Sequence, residues 1–265
     1  MLELIDIGIN LTHDSYDRDR AAVLSRAVDH GVRQFIVTGA SAESSKAALD
    51  LAGLAPRILR STAGCHPHHA VDYDATAHSI VAELLLHPLV AAVGETGLDY
   101  HRNFSSPSEQ RLAFERQLDL AVATRKPLFL HQRDAHADFI AMLTERATVL
   151  PRAVLHCFTG NATELEESLQ IGLYIGITGW ICDERRGHHL RELVARIPVG
   201  RLMIETDGPY LLPRDLKPKP ESRRNEPMFL PHIAKIIAAA RGESLQELAS
   251  HTTQTARTFF DFPAQ

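Results

Sequence analysis

Short apolar runs and longer stretches of helical spacing alternate along this chain. Leu4 to Leu11 is apolar, interrupted by Asp6, Gly8 and Asn10, and Arg18 to His30 follows with Ala22, Leu24, Ala27 and Val28 on one helical face before Gly31. Phe35 to Thr38 precedes a helical stretch at Ala42 to Leu54, and Ile58 to Gly64 precedes one at Ala75 to Leu86. Val90 to Glu95 leads through a polar loop to Ser108 to Arg125. There Leu112, Phe114, Leu118, Leu120 and Val122 predict a long amphipathic helix, entered at Ser106-Pro107-Ser108. Further on, Pro127 to His131 pairs with Ala135 to Arg146, Ala153 to His156 with Thr163 to Gln170, and Leu173 to Thr178 with Leu190 to Arg196. Leu202 to Glu205 supplies the last strand, before helices at Leu230 to Ala240 and Leu245 to Phe260. Eight strand-helix alternations in 265 residues predict an α/β fold, a (β/α)8 TIM-type barrel in a single domain. The irregular stretch Gly208 to Pro227 carries Pro209, Pro213, Pro218, Pro220 and Pro227. A loop this long inside a compact domain is usually functional, and it is expected to wall one side of the site.

Composition narrows the function. No apolar segment approaches the roughly 20 residues that span a bilayer, so no membrane partner is expected. Met1 to Asn10 alternates Glu3 and Asp6 with apolar residues and lacks a basic leader, which makes it a first strand and the cytoplasm the expected location. Cys65, Cys157 and Cys182 are an odd, scattered set without CxxC spacing, against a disulfide framework or a zinc ribbon. A net charge of −5 counts against coating duplex DNA, whose nonspecific affinity rests on many Lys and Arg contacts, but leaves room for local capture of one strand end. No GxGxxG or Walker A sequence follows any strand.

Chemistry gathers where the apolar runs stop. Four run ends carry Glu95, His131, His156 and Asp207, and strand ends of a parallel barrel converge on its carboxyl-terminal rim. Two imidazoles and two carboxylates suit Mg, Mn or Zn, and a divalent hydrolytic centre is the natural reading. Taken singly, each residue has a plainer role: a strand-end histidine as a hydrogen-bonded core residue, Glu95 or Asp207 as a helix cap. Their conjunction carries the inference. His66-Pro67-His68-His69 is either a turn with solvated histidines or a source of phosphate binding, proton donation or an outer metal ligand. Cys157, beside His156, is expected as a packed thiol. Arg214, Lys217, Lys219, Arg223 and Arg224 crowd the long loop and Arg185-Arg186 precede it. Arginine forks there could reach phosphates, while Tyr210, Phe104 and Trp180 could stack on a base.

Seven motifs in order then resemble the TatD family of metal-dependent deoxyribonucleases, within the amidohydrolase-like barrels. They are Asp6 to Thr12, Gly64 to His68, Gly94 to Asp99, Leu130 to Ala135, Leu155 to Gly160, Glu205 to Leu211, and Arg223 to Pro227. The resemblance implies 3′-5′ exonuclease action on single-stranded DNA and RNA with Mg or Mn, Zn being the other candidate, in DNA repair or degradation by a monomer. It puts metal on Glu95, His131, His156 and Asp207, with Asp207 also orienting or deprotonating water. His66 and His68 steady the scissile phosphate, and Arg133, Arg223, Arg224 and Asn225 meet the substrate. Most of the wider family has Asp-x-His-x-His on the first strand, where this chain has Gly8 and Asn10. In that respect, and in Cys182 to Gly187, it resembles the TatD-proper branch, and one of two metal positions should be reshaped. Two other readings stand beside this one: a hydrolase of small esters, amides or aminoacyl-tRNA on the same barrel, and an inactive barrel serving as a binding scaffold.

Overall fold

A computed structural model describes residues 2–262 of the chain. Its eight strands are β1 (Leu4–Ile9), β2 (Val32–Val37), β3 (Leu59–Ala63), β4 (Val90–Asp99), β5 (Leu128–Arg133), β6 (Ala153–Leu155), β7 (Tyr174–Ile177) and β8 (Leu202–Ile204). They form one parallel sheet in chain order, the order of a (β/α)8 barrel. The helices between and after them are α1 (Arg20–Asp29), α2 (Ala42–Leu54), α3 (Ala75–Leu84), α4 (Pro107–Thr124), α5 (His136–Thr144), α6 (Ala162–Gln170), α7 (His188–Leu193), α8 (Leu230–Arg241) and α9 (Leu245–Phe260). β8 returns to β1, where the Asp207 N–H donates to the Gly8 carbonyl at 2.9 Å and the Asn10 N–H to the Gly208 carbonyl at 2.8 Å. Strands buried on both faces explain the near-continuous apolar runs: all of Leu4–Ile9 is buried, the wholly enclosed Asp6 included.

The chain groups into two compact units. One comprises Met1–Ile36, Cys157–Ala162 and Ile175–Gln265; the other Val37–His156 and Thr163–Tyr174. In the first, α9 packs on β1 and β8. Ser244 caps α9 while Glu247 reaches back to the Ser244 N–H, so two otherwise orphaned donors are satisfied reciprocally. In the second, β3, β4, β5 and β6 are neighbours, α4 covers β4, and Phe114 stacks on Phe139 with ring centroids 5.7 Å apart.

The predicted α4 is present, entered through Ser106 with Pro107 in its first turn, but its buried face differs from the apolar one. Gln110, Ala113, Phe114, Gln117, Leu118 and Ala121 face inward, whereas Leu112 is half exposed. Two glutamines replace leucines on the core face because the backbone beneath them needs partners. Gln117 accepts from the Cys65 N–H (2.7 Å) and donates to the Cys65 carbonyl (3.1 Å); Gln110 accepts from the Asp99 N–H (2.8 Å) and donates to the Asp99 carbonyl (3.0 Å). Both grips lie beside residues of the candidate site.

β4 also differs from expectation. It runs four residues beyond Glu95, to Asp99, with its register on β5 shifting between Val93 and Thr96. Gly94 (φ +140°) and Gly97 (φ +145°) permit this, since a Cβ would stand 2.2 Å from the Phe129 carbonyl oxygen at Gly94 and 1.9 Å from that of His131 at Gly97. Glu95 is therefore held inside a rigid strand and not on its loose tip.

Candidate active site

Three imidazoles converge on one carboxylate oxygen. Glu95 Oε1 lies 2.7 Å from His156 Nε2, 3.1 Å from His131 Nδ1 and 3.3 Å from His66 Nε2. Glu95 is 6 % exposed, and burial alone would raise its pKa; the surrounding imidazoles outweigh that and hold the carboxyl well below its usual range. Burial pushes His66 down to about 4, so its ring is neutral near pH 7. Burial also opposes charge on His131, but Asp99 and Glu95, one toward each ring nitrogen, prevail and raise its pKa.

Hydrogen bonding separates the roles of these histidines. His66 begins the turn Pro67–Asp72, and its Nδ1 accepts from the His68 N–H at 3.1 Å, which leaves the ring proton on Nε2. Although its nitrogen lies with ligand atoms of Glu95 and His131 inside a 4.8 Å cluster, that proton makes His66 a donor and not a ligand. His131 and His156 turn Nδ1 and Nε2, respectively, toward Glu95 Oε1. His131 Nε2 is buried without an aligned hydrogen bond among the described residues, 3.4 Å from Asp99 Oδ2. The Glu95 carboxylate and the imidazoles of His131 and His156, the first with this spare nitrogen, are a donor set that fits a divalent ion.

Asp99 was legible only as a motif letter, yet it is central. It stands four residues past Glu95 on the same strand and is 2 % exposed. Its Oδ2 lies 2.9 Å from His68 Nε2, while Oδ1 accepts from the N–H groups of His101 and Arg102, both at 2.9 Å. His68 thus packs away from Glu95, tied to Asp99, with its ring 4.8 Å from that of the exposed Phe104. Arg133 follows His131 by two positions and so shares its strand face; among the described residues its guanidinium makes no ion pair.

In the other unit Asp207 takes a left-handed conformation (φ 54°) just past β8. Asn10, where the wider family has a histidine, turns its amide nitrogen toward Asp207 Oδ1 at 3.0 Å and the Gly208 carbonyl at 3.3 Å. It orients a carboxylate. Thr206, the preceding residue, is gripped from both sides: its N–H donates to Asp6 Oδ1 at 2.9 Å and its hydroxyl to Asp6 Oδ2, while its carbonyl accepts from Asn225 Nδ2 at 2.8 Å. Burial pushes the Asp6 carboxyl up to about 7. Glu205, also passed over in the sequence, is fully buried and accepts from the Cys157 N–H at 2.6 Å, fixing that residue at φ 45°.

Two of the expected substrate residues do other work. Asn225 is fully buried and uses both ends of its amide internally, its oxygen accepting from the Glu226 N–H at 2.9 Å. Arg224 spends four of its five N–H donors. Nη1 donates to the Ser15 carbonyl (2.6 Å) and Asp19 Oδ1 (2.8 Å), and Nη2 to Asp19 Oδ2 (2.8 Å) and Glu226 Oε1 (2.6 Å). It is a latch of the long loop. Arg223 is exposed and, among the described residues, has no ion-pair partner. Trp180 lies beneath the Arg186 guanidinium, 4.3 Å from ring to cation, so one stacking face is taken.

The Gln117 clamp gives a first prediction. Replacing Gln117 by Leu strands the Cys65 N–H and carbonyl, at about 1–3 kcal/mol for a buried unpaired group. Denaturant unfolding should show a loss of that order, with His66 displaced and activity falling further than the stability change explains. Unchanged stability would mean that the clamp contributes nothing.

A (β/α)8 barrel with histidines and carboxylates gathered at its strand ends has the build of a metal-dependent hydrolase. The chain belongs to the TatD related DNase family, whose model matches residues 5–261. It is 50% identical over 261 residues to a protein of Erwinia billingiae named 3′-5′ ssDNA/RNA exonuclease TatD, covering 98% of this chain and 100% of that one. A protein of the same name from Dickeya dadantii is 51% identical over 257 residues, 97% of each chain. The crystal structure of YJJV, a TatD homolog from Escherichia coli, superposes with a TM-score of 0.90 at 27% identity, covering 98% of both chains.

Proposed function

We propose that this protein is a 3′-5′ exonuclease of single-stranded DNA and RNA, using Mg or Mn at the Glu95 cluster. The observation that carries the reading is the likeness of 50–51% identity, end to end, to proteins named for that activity. The site chemistry agrees with it. In this proposal Glu95, His131 and His156 hold the metal, with Asp207 as a further ligand or as the base for the attacking water. A divalent ion there would lower the pKa of a bound water and polarise the phosphoryl oxygens.

The chain's own side chains supply the rest. Asp207, its Oδ1 held by the Asn10 amide, accepts the proton of the attacking water. His66 offers its Nε2 proton to a phosphate oxygen, and His68, anchored through Nε2 on Asp99, steadies the same group. Phe104, 65% exposed beside His68, presents a face on which the terminal base can stack. Of the arginines expected to meet substrate, Arg133 and Arg223 make no ion pair among the described residues and are the ones proposed to reach its phosphates. The proposal has the whole barrel act as one domain, as a monomer in the cytoplasm, trimming or repairing DNA ends; among the described residues no helix is long and apolar enough to cross a membrane.

Because contacts made equally to substrate and transition state change KM alone, Arg223→Ala should raise KM for an oligonucleotide, leave kcat near wild type and flatten the salt dependence of KM. An unaltered KM and salt slope would remove Arg223 from the substrate path. The substrate class is tested by offering the Mg- or Mn-loaded protein a single-stranded oligonucleotide, small carboxylic esters and aminoacyl-tRNA side by side. Turnover of the oligonucleotide far above the others is expected; preference for an ester or aminoacyl bond would overturn the proposal.

A further inference from the structure

A second cluster of ligand atoms lies under the long loop, away from Glu95 in sequence and built of different chemistry. Cys182 closes the turn Gly179–Cys182 after β7, Asp215 sits within the loop that follows β8, and His232 lies in the first turn of α8. One Cys Sγ, one carboxylate oxygen and one imidazole nitrogen all fall within 4.8 Å of one another, and His232 Nε2 is 2.7 Å from Asp215 Oδ1. The thiol is fully buried, whereas the Asp215 and His232 side chains are each 26% exposed. Thiol at the floor and two nitrogen and oxygen donors at the mouth make a cup open to solvent.

We propose that Cys182, Asp215 and His232 bind a thiophilic divalent cation, Zn²⁺ foremost, which clamps the long loop to α8 and to the turn after β7. Thiolate, imidazole and carboxylate together are a zinc donor set, and three protein ligands leave a fourth position for water. Mg²⁺ is unsuited, because it takes oxygen and not sulfur. On binding, the Cys182 thiol gives its proton to solvent and its sulfur pair to the metal. The Glu95 cluster offers no sulfur, so a thiolate signature from a bound metal belongs to Cys182 and not to Glu95. The clamp acts on the segment that carries Arg214, whose Nε is 3.7 Å from Asp183 Oδ2, and that leads on to Arg223 and Arg224. The competing account of the same atoms is a purely hydrogen-bonded trio.

Cobalt separates the two, since Co²⁺ occupies zinc sites and a thiolate ligand gives it a charge-transfer absorption. The full-length protein, stripped with a chelator, is titrated with Co²⁺. A thiolate band is expected in the wild type and in the Glu95→Ala and Cys157→Ser variants, bleached by added Zn²⁺ and lost in Cys182→Ser and His232→Ala. Zn²⁺ should also raise the Tm of the wild type but not of His232→Ala. Absence of the band, or its survival in Cys182→Ser, overturns the proposal. If Cys182→Ser does not fold, His232→Ala decides, because an unchanged band there is equally fatal.

Discussion

Glu95→Ala is expected to lose turnover by a factor of about a thousand or more, the scale of removing a transition-state interaction worth several kcal/mol. One oxygen of this side chain meets three imidazoles at 2.7, 3.1 and 3.3 Å, so its loss removes the carboxylate that joins them. The fold should survive, because β4 is held by its neighbours and by the Gln110 grip on Asp99 and not by the Glu95 side chain. Metal titration by calorimetry should show weakened binding in parallel, with a Tm close to that of the wild type. Activity within tenfold of wild type would show that the metal sits elsewhere.

The second large effect is expected far from any metal ligand. Arg224→Ala breaks the latch between the long loop and the segment around Asp19, where Arg26 is the other cation, donating to Glu226 through Nε (2.9 Å) and Nη2 (3.0 Å). Glu226 is only 11% exposed at its side chain and Arg224 21%, so the network is shielded more than a surface pair, and a loss of about 2–4 kcal/mol is expected. The Arg224 hydrogen bonds hold the Asp19 carboxyl well below its ordinary range. A depressed carboxylate pKa means that the stabilisation is complete above the unfolded value near 3.9 and fades as pH falls below it. Urea unfolding at pH 7 and at pH 3 should therefore show a stability gap between wild type and Arg224→Ala that narrows in acid. Because the loop itself loosens, kcat and KM should change together, unlike the KM effect expected of Arg223→Ala. A gap independent of pH would assign the role of Arg224 to packing on Tyr16, 5.1 Å beneath it.

The contrast between those two arginines shows where sequence patterns stop informing. Apolar periodicity located all eight strands, because a strand buried on both faces must be written in valine, leucine and isoleucine. The helices α2 and α9 run over the ranges that their periodicity predicts. Motif order placed Glu95, His131 and His156 on strands whose side chains meet, and Ser106 was recognisable as a cap from its own chemistry. Buried polar residues with distant backbone partners left no such trace. Gln117 looks like a surface residue of α4 until Cys65 is found beneath it, and Asn225 looks like a ligand for substrate until the Thr206 carbonyl is found at 2.8 Å. Arg224 resembled Arg223 in every respect visible in one dimension; its partners Asp19 and Ser15, 205 and 209 positions earlier, tell them apart. The same limit hid Asp99, since nothing in the strand pattern predicts that β4 continues through two glycines beyond Glu95.

The central claim, that a Glu95-centred metal site removes nucleotides from the 3′ end of a single strand, is tested most directly with a 5′-labelled oligonucleotide. The expected result with Mg or Mn is a ladder that shortens with time from the 3′ end, abolished by EDTA, restored by added metal and absent in Glu95→Ala. A full-length label that persists with every metal, or a ladder unaffected by EDTA or by the Glu95 substitution, would contradict the account.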